Sequence, residues 1–397
     1  MSVKKSVNLI EQPGTLVGGF VKGGTLIPAY RAVYVSGPYP KDVKKCLYSR
    51  GGNAWFMFTD SEMWYSDDGI SFLYNDDYSC ERPFIVEDYY GQKVCSIVFM
   101  GKTVKIRTSY GFAKFNAPYS FSCGVIHCGR FFGGFDYTVC WSGTNDFNDW
   151  EQGVNASGNL ELDASRGKIL NMLVYGGKIV AVCEYGLTVF SMYGTPENFS
   201  VDLTDTDSDK IYLDSAQIVD GKLYFCTVSG IKYFDGRNIH PVKTRYSIAN
   251  AVSSAVDGWR YFLSGYCRER DRTVIFCLDT ADGESCIIEE EASSLFVSDK
   301  PYFIKDGKYG YLESSDASLK LICGRLDFGT DRFKTVTKIR VTGSAKIKID
   351  NDMLQKNYTV TDGCVRPHFK GKQFAITVES SSALKEVTVT AEVMNGV

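Results

Sequence analysis

The chain has 397 residues, of which 44% are hydrophobic and 23% charged, an ordinary globular composition with length for roughly two to three domains. A formal net charge of −3 removes the electrostatic reason to expect a nucleic-acid or anionic-membrane partner. No window approaches the roughly 18 uninterrupted apolar residues of a spanning helix, and MSVKKSVNLIEQPG has no apolar core behind its lysines, so neither a membrane span nor a signal peptide is expected.

Helical periodicity is almost absent. Short runs rich in Val, Ile, Tyr, Phe and Thr recur between Gly, Asp and Asn turns, which reads as an all-β chain. Residues 1–50 form an N-terminal segment whose RAVYVSG, at 31–37, is a strand candidate. From Gly52, NAWFMF runs to a turn at Asp60, with Trp64 four residues later. MWYSDDGISF, at 63–72, follows at once, and its Asp67, Gly69, Ser71 and Phe72 nearly spell the Asp-box of glycan-cutting propellers, with Tyr65 in place of the leading Ser or Thr. It also aligns with Tyr233, Phe234, Asp235 and Gly236, so the likeness is read as one of turns rather than of chemistry. Arg82-Pro83 is the nearest approach to the arginine signature of sialidases.

GKTVKIRTSYGFAKF from Gly101, GKIVAVCEYGLTVF from Gly177 and GKLYFCTVSGIKYF from Gly221 share one plan. Gly-Lys opens a strand, a second Gly follows, and an aromatic lies four residues on: Gly111 with Phe115, Gly186 with Phe190, Gly230 with Phe234. A fainter copy pairs Gly307 with Tyr311, and looser units begin at Gly129 and Gly258. Glycine accepts the positive φ of a tight turn, and the aromatic is expected to pack on the next sheet. Starting points at 52, 101, 129, 177, 221, 258 and 299 average about 41 residues apart, the repeat of a four-stranded propeller blade. Residues 51–324 therefore read as a β-propeller of about seven blades, with the strand at 31–37 completing the last.

Beyond 324 strict alternation takes over. Ile339, Val341, Ile347, Ile349, Phe374, Ile376, Val378, Val387, Val389, Ala391 and Val393 form one apolar face, which predicts a small β-sandwich over 325–397. Lys338, Arg340, Lys346 and Lys348 face outward as a basic surface, which reads first as solvation and protection from aggregation, with an acidic neighbour as the alternative.

Candidate chemistry is sparse. Asp205, Asp207 and Asp209 alternate like the start of a calcium loop, but the twelfth position is Ala216 rather than Glu, so they are weak metal candidates beside the plainer reading of a polar loop. Cys123, His127 and Cys128 cluster without the spacing of a zinc knuckle. Glu289–Glu290–Glu291 reads as a solvated loop. No nucleophile elbow, phosphate loop or dinucleotide fingerprint is present, and three histidines leave few general bases. No catalytic residue and no cofactor is assigned. Thirteen cysteines, an odd number, with Cys95, Cys183, Cys226 and Cys277 inside apolar runs, read as buried free thiols of a reducing compartment.

The succession TVCWSGTNDFNDWEQ, with Trp141, Ser142, Asn145, Asp146 and Trp150, then the Gly177 and Gly221 units, then LDFGTDRFKTVTKIRV with Asp327 to Gly329, resembles the β-propeller structural proteins of tailed bacteriophages, the group that includes tail nozzle and tail-hub proteins. The likeness covers roughly residues 135–350. It implies a non-enzymatic virion component of the tail or head–tail junction, assembled in the bacterial host cytoplasm. The implied partners are other tail proteins, with a homo-oligomeric ring among the arrangements. Two alternatives stand beside it: a host-surface or glycan-binding propeller whose Trp and Tyr stack on sugars, and a glycoside hydrolase using carboxylates gathered at the axis.

Overall fold

A computed structural model describes residues 2–12, 14–90, 93–150, 157–205, 207, 209–314, 317–351 and 353–393. Among them the structure is all-β, with helix confined to three short 3-10 turns at Leu9–Glu11, Ala164–Arg166 and Pro196–Asn198. The chain divides into two compact units. One comprises residues 34–273 and 291–311, the other residues 1–33, 274–290 and 312–397. The sequence boundaries at 50/51 and 324/325 are drawn elsewhere, and the second of them falls inside the strand Leu319–Leu326.

The larger unit is a β-propeller. Among the described residues there are six four-stranded sheets, five of them at residues 45–77, 84–116, 123–161, 169–205 and 217–241. Each is an antiparallel meander whose first strand is innermost. The hairpin Ile248–Asp257 with Arg260–Cys267 and the strands Ser294–Val297, Pro301–Lys305 and Lys308–Glu313 continue the ring. The last sheet takes up the chain near its start: Val35 N–H donates to Tyr309 O at 2.9 Å, and the Tyr34 ring packs edge-on to Phe303. A segment at the beginning thus lies on a sheet near the end, which leaves no open edge there.

The blades are held by apolar seams. Phe132, Val139 and Cys123 of the third sheet pack with Ile179, Ala181, Cys183 and Phe190 of the fourth. Val180, Val182 and Leu187 of the fourth pack with Leu223, Phe225 and Phe234 of the fifth. A repeated hairpin has an apolar face on each side, so only a neighbour on each side buries both. Fully buried Phe190, Phe225 and Phe234 each remove side-chain surface worth roughly 1.5–3 kcal/mol from water.

The structure corrects the alignment of the repeats. The units from Gly177 and Gly221 run along the second and third strands of their sheets, Lys178–Cys183 with Gly186–Ser191 and Lys222–Thr227 with Gly230–Phe234. The unit from Gly101 runs along the third and fourth, Thr103–Thr108 with Gly111–Asn116, one strand late in its blade. The packing direction follows. Trp64, Phe190 and Phe234 pack on the preceding sheet, whereas Phe115 lies in the seam with Phe121 and Phe131 of the following one. The expectation that the fixed aromatics face the next sheet holds for Phe115 and fails for Trp64, Phe190 and Phe234.

In the smaller unit, the eleven apolar positions read from alternation are all buried. All but Val393 share one core with Leu9, Ile10, Leu16, Leu26, Leu319, Leu321 and Cys323. The N-terminal strand Val3–Asn8 pairs antiparallel with Glu386–Val393, so the sandwich-like sheet is completed from the opposite end of the sequence. Its spine is the 18-residue strand Lys334–Asn351. Register shifts between Val341 and Ser344 around Gly343, whose φ is +118 and whose N–H donates to Asp362 Oδ1 at 2.8 Å. Lys338, Arg340, Lys346 and Lys348 are exposed on the opposite face.

Candidate functional site

Seven inner strands surround the propeller axis: Lys45–Ser49, Phe84–Tyr90, Cys123–His127, Ile169–Tyr175, Gln217–Val219, Ile248–Asp257 and Ser294–Val297. They enclose a cavity of about 840 Å³, within the roughly 300–1,000 Å³ of small-ligand pockets. Hydrogen bonds between neighbouring blades set its wall. Ser254 Oγ donates to Asp214 O at 2.6 Å, Leu295 N–H to Ser253 Oγ at 2.9 Å, and Cys46 N–H to Ser294 Oγ at 3.1 Å. Serines suit this position because their hydroxyls pair backbone groups that adjoining inner strands, splayed around an axis, leave without a ladder.

Two carboxylates line the cavity, Glu87 and Asp214. Glu87 Oε1 accepts from Ser49 Oγ at 2.8 Å and from Gly51 N–H at 3.0 Å. Asp214 lies 2.6 Å from Arg82 Nη2 and 3.3 Å from Lys45 Nζ, on backbone held at φ +55. Burial pushes the Asp214 carboxyl up, but Lys45 and Arg82 together outweigh it and hold the group below the usual aspartate range. Arg82, singled out above only as a failed sialidase signature, is thus one arm of an axial ion triad.

The outer ends of the blades differ. In each antiparallel sheet the first-to-second and third-to-fourth turns lie at one end of the ring. Tyr89, Tyr110, Tyr193 and Trp259 belong to that end, at 72%, 90%, 76% and 58% exposure. Tyr119, Tyr137 and Tyr185, in connections at the other end, are 37–38% exposed. Large amphipathic rings are the residues that carry binding energy at protein interfaces, so the first end is the contact-ready one.

The residues singled out from the sequence have structural posts. Gly111, Gly186 and Gly230 start their strands at φ +126, +115 and +131, and Gly307 turns at +72. Asp60 is an exposed turn residue 3.8 Å from Lys44, Trp64 Nε1 donates to Glu62 at 2.9 Å, and Tyr311 lies under Lys300 at 3.5 Å. Trp141 packs on Phe199, and Trp150 stacks on Phe121. Glu151 and Gln152 of the Trp150 motif lie outside the described residues.

In the Asp-box-like turn the organising carboxylate is Asp68 rather than Asp67. Asp68 Oδ1 accepts from the N–H groups of Ile70 and Ser71, each at 2.8 Å, and from Ser66 Oγ at 2.7 Å, which lowers its pKa to about 2. Asp67 instead pairs with Arg107 at 3.0 Å. Asp235 organises the aligned turn in the same way, accepting from Arg237 and Asn238 N–H.

Between Asp207 and Asp209 the place a cation would take holds the Lys232 ammonium, 2.7 Å and 2.8 Å from the two carboxylates. Asp205 is in the strand Ser200–Asp205, opposite Leu187. Cys123 is buried in a blade seam, while His127 and the exposed Cys128 meet at the far end of that strand, Sγ to Nε2 3.3 Å. Among the described residues no group of three His, Cys, Asp or Glu side chains is placed to hold a metal.

Neither a protein-family model nor a curated protein sequence matches the chain. Solved structures do match in fold. The β-propeller domain of Cps50 (Swd1) from Myceliophteria thermophila aligns at a TM-score of 0.51 and 9% identity, over 71% of this chain and 99% of that one. The WD40 domain of Neurospora crassa Pan2 aligns at 0.49 and 9%, over 71% and 93%. At 9% identity the likeness to the Cps50 domain establishes the fold alone: the chain contains a β-propeller.

Proposed function

We propose that this protein works by binding other proteins through the end of the propeller that carries Tyr89, Tyr110, Tyr193 and Trp259, as a structural component of a tailed-bacteriophage virion. The observation that carries the binding role is the concentration of highly exposed aromatic rings at that end. The tail or head–tail setting draws its support from the motif succession between Trp141 and Gly329. The role is non-catalytic: both axial carboxylates are engaged in hydrogen bonds or ion pairs, and Asp214 is held below its ordinary pKa, opposite to the raised value a glycosidase acid requires.

The test is quantitative mass spectrometry of purified tailed particles from the source strain. The proposal expects this polypeptide at a fixed multi-copy ratio to the major capsid protein. Free protein in the lysate with none in the particles overturns the virion setting. A carbohydrate array with micromolar hits lost on Tyr110→Ser or Tyr193→Ser transfers the same aromatic end to glycans.

A further inference from the structure

The axial cavity holds more positive charge than its own carboxylates balance. Lys45, Arg50 and Arg82 line it against Glu87 and Asp214, three cations against two carboxylates. The imbalance is local as well as net. Asp214 alone answers both Lys45 and Arg82, while Glu87 faces Ser49 and Gly51. An ammonium has three N–H donors and a guanidinium five, and among the described residues Lys45 and Arg82 each donate one hydrogen bond, both to Asp214. Asn171, whose Oδ1 accepts from Met172 N–H, also lines the cavity.

The backbone is arranged to present this group. Asp214 sits at φ +55, its carbonyl is fixed by Ser254 Oγ, and the following Ser215 is tied through Tyr261 OH at 2.6 Å. A non-glycine residue in left-handed backbone persists where the surroundings over-determine it, and such positions concentrate at binding sites. Phe84, Val125, Leu295 and Phe296 add apolar surface to a lining otherwise rich in polar side chains.

We propose that the axial cavity binds a small organic anion bearing one carboxylate or phosphate group, with Arg82 and Lys45 as its charge contacts and Asp214 as the internal carboxylate that shares them. In a partly enclosed site a planar guanidinium pairs a ligand oxyanion through charge-assisted hydrogen bonds of fixed geometry. This inference is independent of the assembly role, since none of Tyr89, Tyr110, Tyr193 and Trp259 lines the cavity.

Isothermal titration with benzoate and, separately, inorganic phosphate tests it and distinguishes the two acid classes, with benzyl alcohol as the uncharged control. The expected result is saturable binding of one anion with one site per chain and no binding of the alcohol. Arg82→Gln should weaken that binding about ten-fold or more, the scale of one charge-assisted hydrogen bond. Asp214→Asn, which removes the internal competitor while keeping its shape, should strengthen it by a similar factor. The two variants move in opposite directions, which a triad serving only as a clasp between blades does not produce. Absence of saturable binding of either anion up to about 10 mM, or binding indifferent to both substitutions, overturns the proposal. Should Arg82→Gln fail to fold, Lys45→Met replaces it in the same comparison.

Discussion

Lys232→Met offers the sharpest trial of how the polar loops of the propeller are held. The ammonium bonds Asp207 Oδ1 and Oδ2 at 2.9 and 2.7 Å and Asp209 Oδ2 at 2.8 Å, and Ser229 Oγ also donates to Asp209. Side-chain exposures of 15% for Lys232, 9% for Asp207 and 32% for Asp209 place the cluster between a buried and a surface ion pair. Breaking a buried pair by removing one partner costs roughly 3–5 kcal/mol, whereas exposed pairs contribute about 0–1. An intermediate loss of about 2–3 kcal/mol is expected, a Tm drop on the order of 5–10 °C for a domain of this size.

The pH dependence gives the discriminating sign. In the wild type, the hydrogen bond from Lys232, then that from Ser229, hold Asp209 below its ordinary pKa. Its contribution is therefore present above the unfolded-state value and lost as pH falls through the folded one. In the variant Asp209 faces a second carboxylate without a cation, which raises its folded pKa, so the penalty is relieved as pH falls through it. The Tm gap between the two proteins, followed by circular dichroism, should narrow from pH 7 toward pH 4. Millimolar calcium should raise the Tm of the variant and leave the wild type unchanged, because the oxygen pair then accepts the ion. A Tm difference under about 1 °C at pH 7, or a gap constant with pH, would refute the reasoning.

Other measurements reach different parts of the fold. Gly343→Ala should lower the stability of the smaller unit by about 2–4 kcal/mol, since φ is +118 and a Cβ would meet Ala383 O at 2.7 Å and Leu384 Cδ2 at 2.8 Å; an unchanged denaturation midpoint would show that the strand does not bend there. Of the thirteen thiols, Cys128 and Cys364 are exposed and Cys80 half-buried. Native labelling with a thiol reagent should therefore modify two sites rapidly and Cys80 slowly, and fast reaction of Cys183 or Cys226 would contradict the packed seams. Asp76, lowered to about 2 by hydrogen bonds from Lys105 and then Lys114, contributes stability above the ordinary aspartate value that is lost as pH falls toward 2, so Asp76→Asn should flatten the acid limb of the stability curve. Tyr110→Ser together with Tyr193→Ser should leave the Tm within about 2 °C yet abolish incorporation into particles, and normal incorporation would move the contact surface elsewhere.

Local order in this protein is written in the sequence. Period-two alternation placed Ile339, Val341, Ile347 and Ile349 on one buried face, and positive-φ glycines such as Gly186 and Gly230 marked strand starts, because both follow from the geometry of a single chain segment. Repetition at about 41 residues carried the propeller as well, since a hairpin apolar on two faces demands neighbours on two sides. The phase of the repeat was not legible: GKTVKI from Gly101 has the same local chemistry as GKIVAV from Gly177, and only ladder pairing reveals that it lies one strand later in its blade. Asp67 and Asp68 are equally plausible turn carboxylates until the backbone shows which one reaches the N–H groups of Ile70 and Ser71.

The tertiary structure alone decided what is non-local. Val3–Asn8 pairs with a strand near the other end of the chain, a partnership no neighbouring residue announces. Arg82 and Lys45 reach Asp214 from 132 and 169 residues away. Each of these side chains looks, in its own segment, like an ordinary solvated charge. Closure of the ring brings them to one axis, where a surplus of cations over carboxylates acquires chemical meaning.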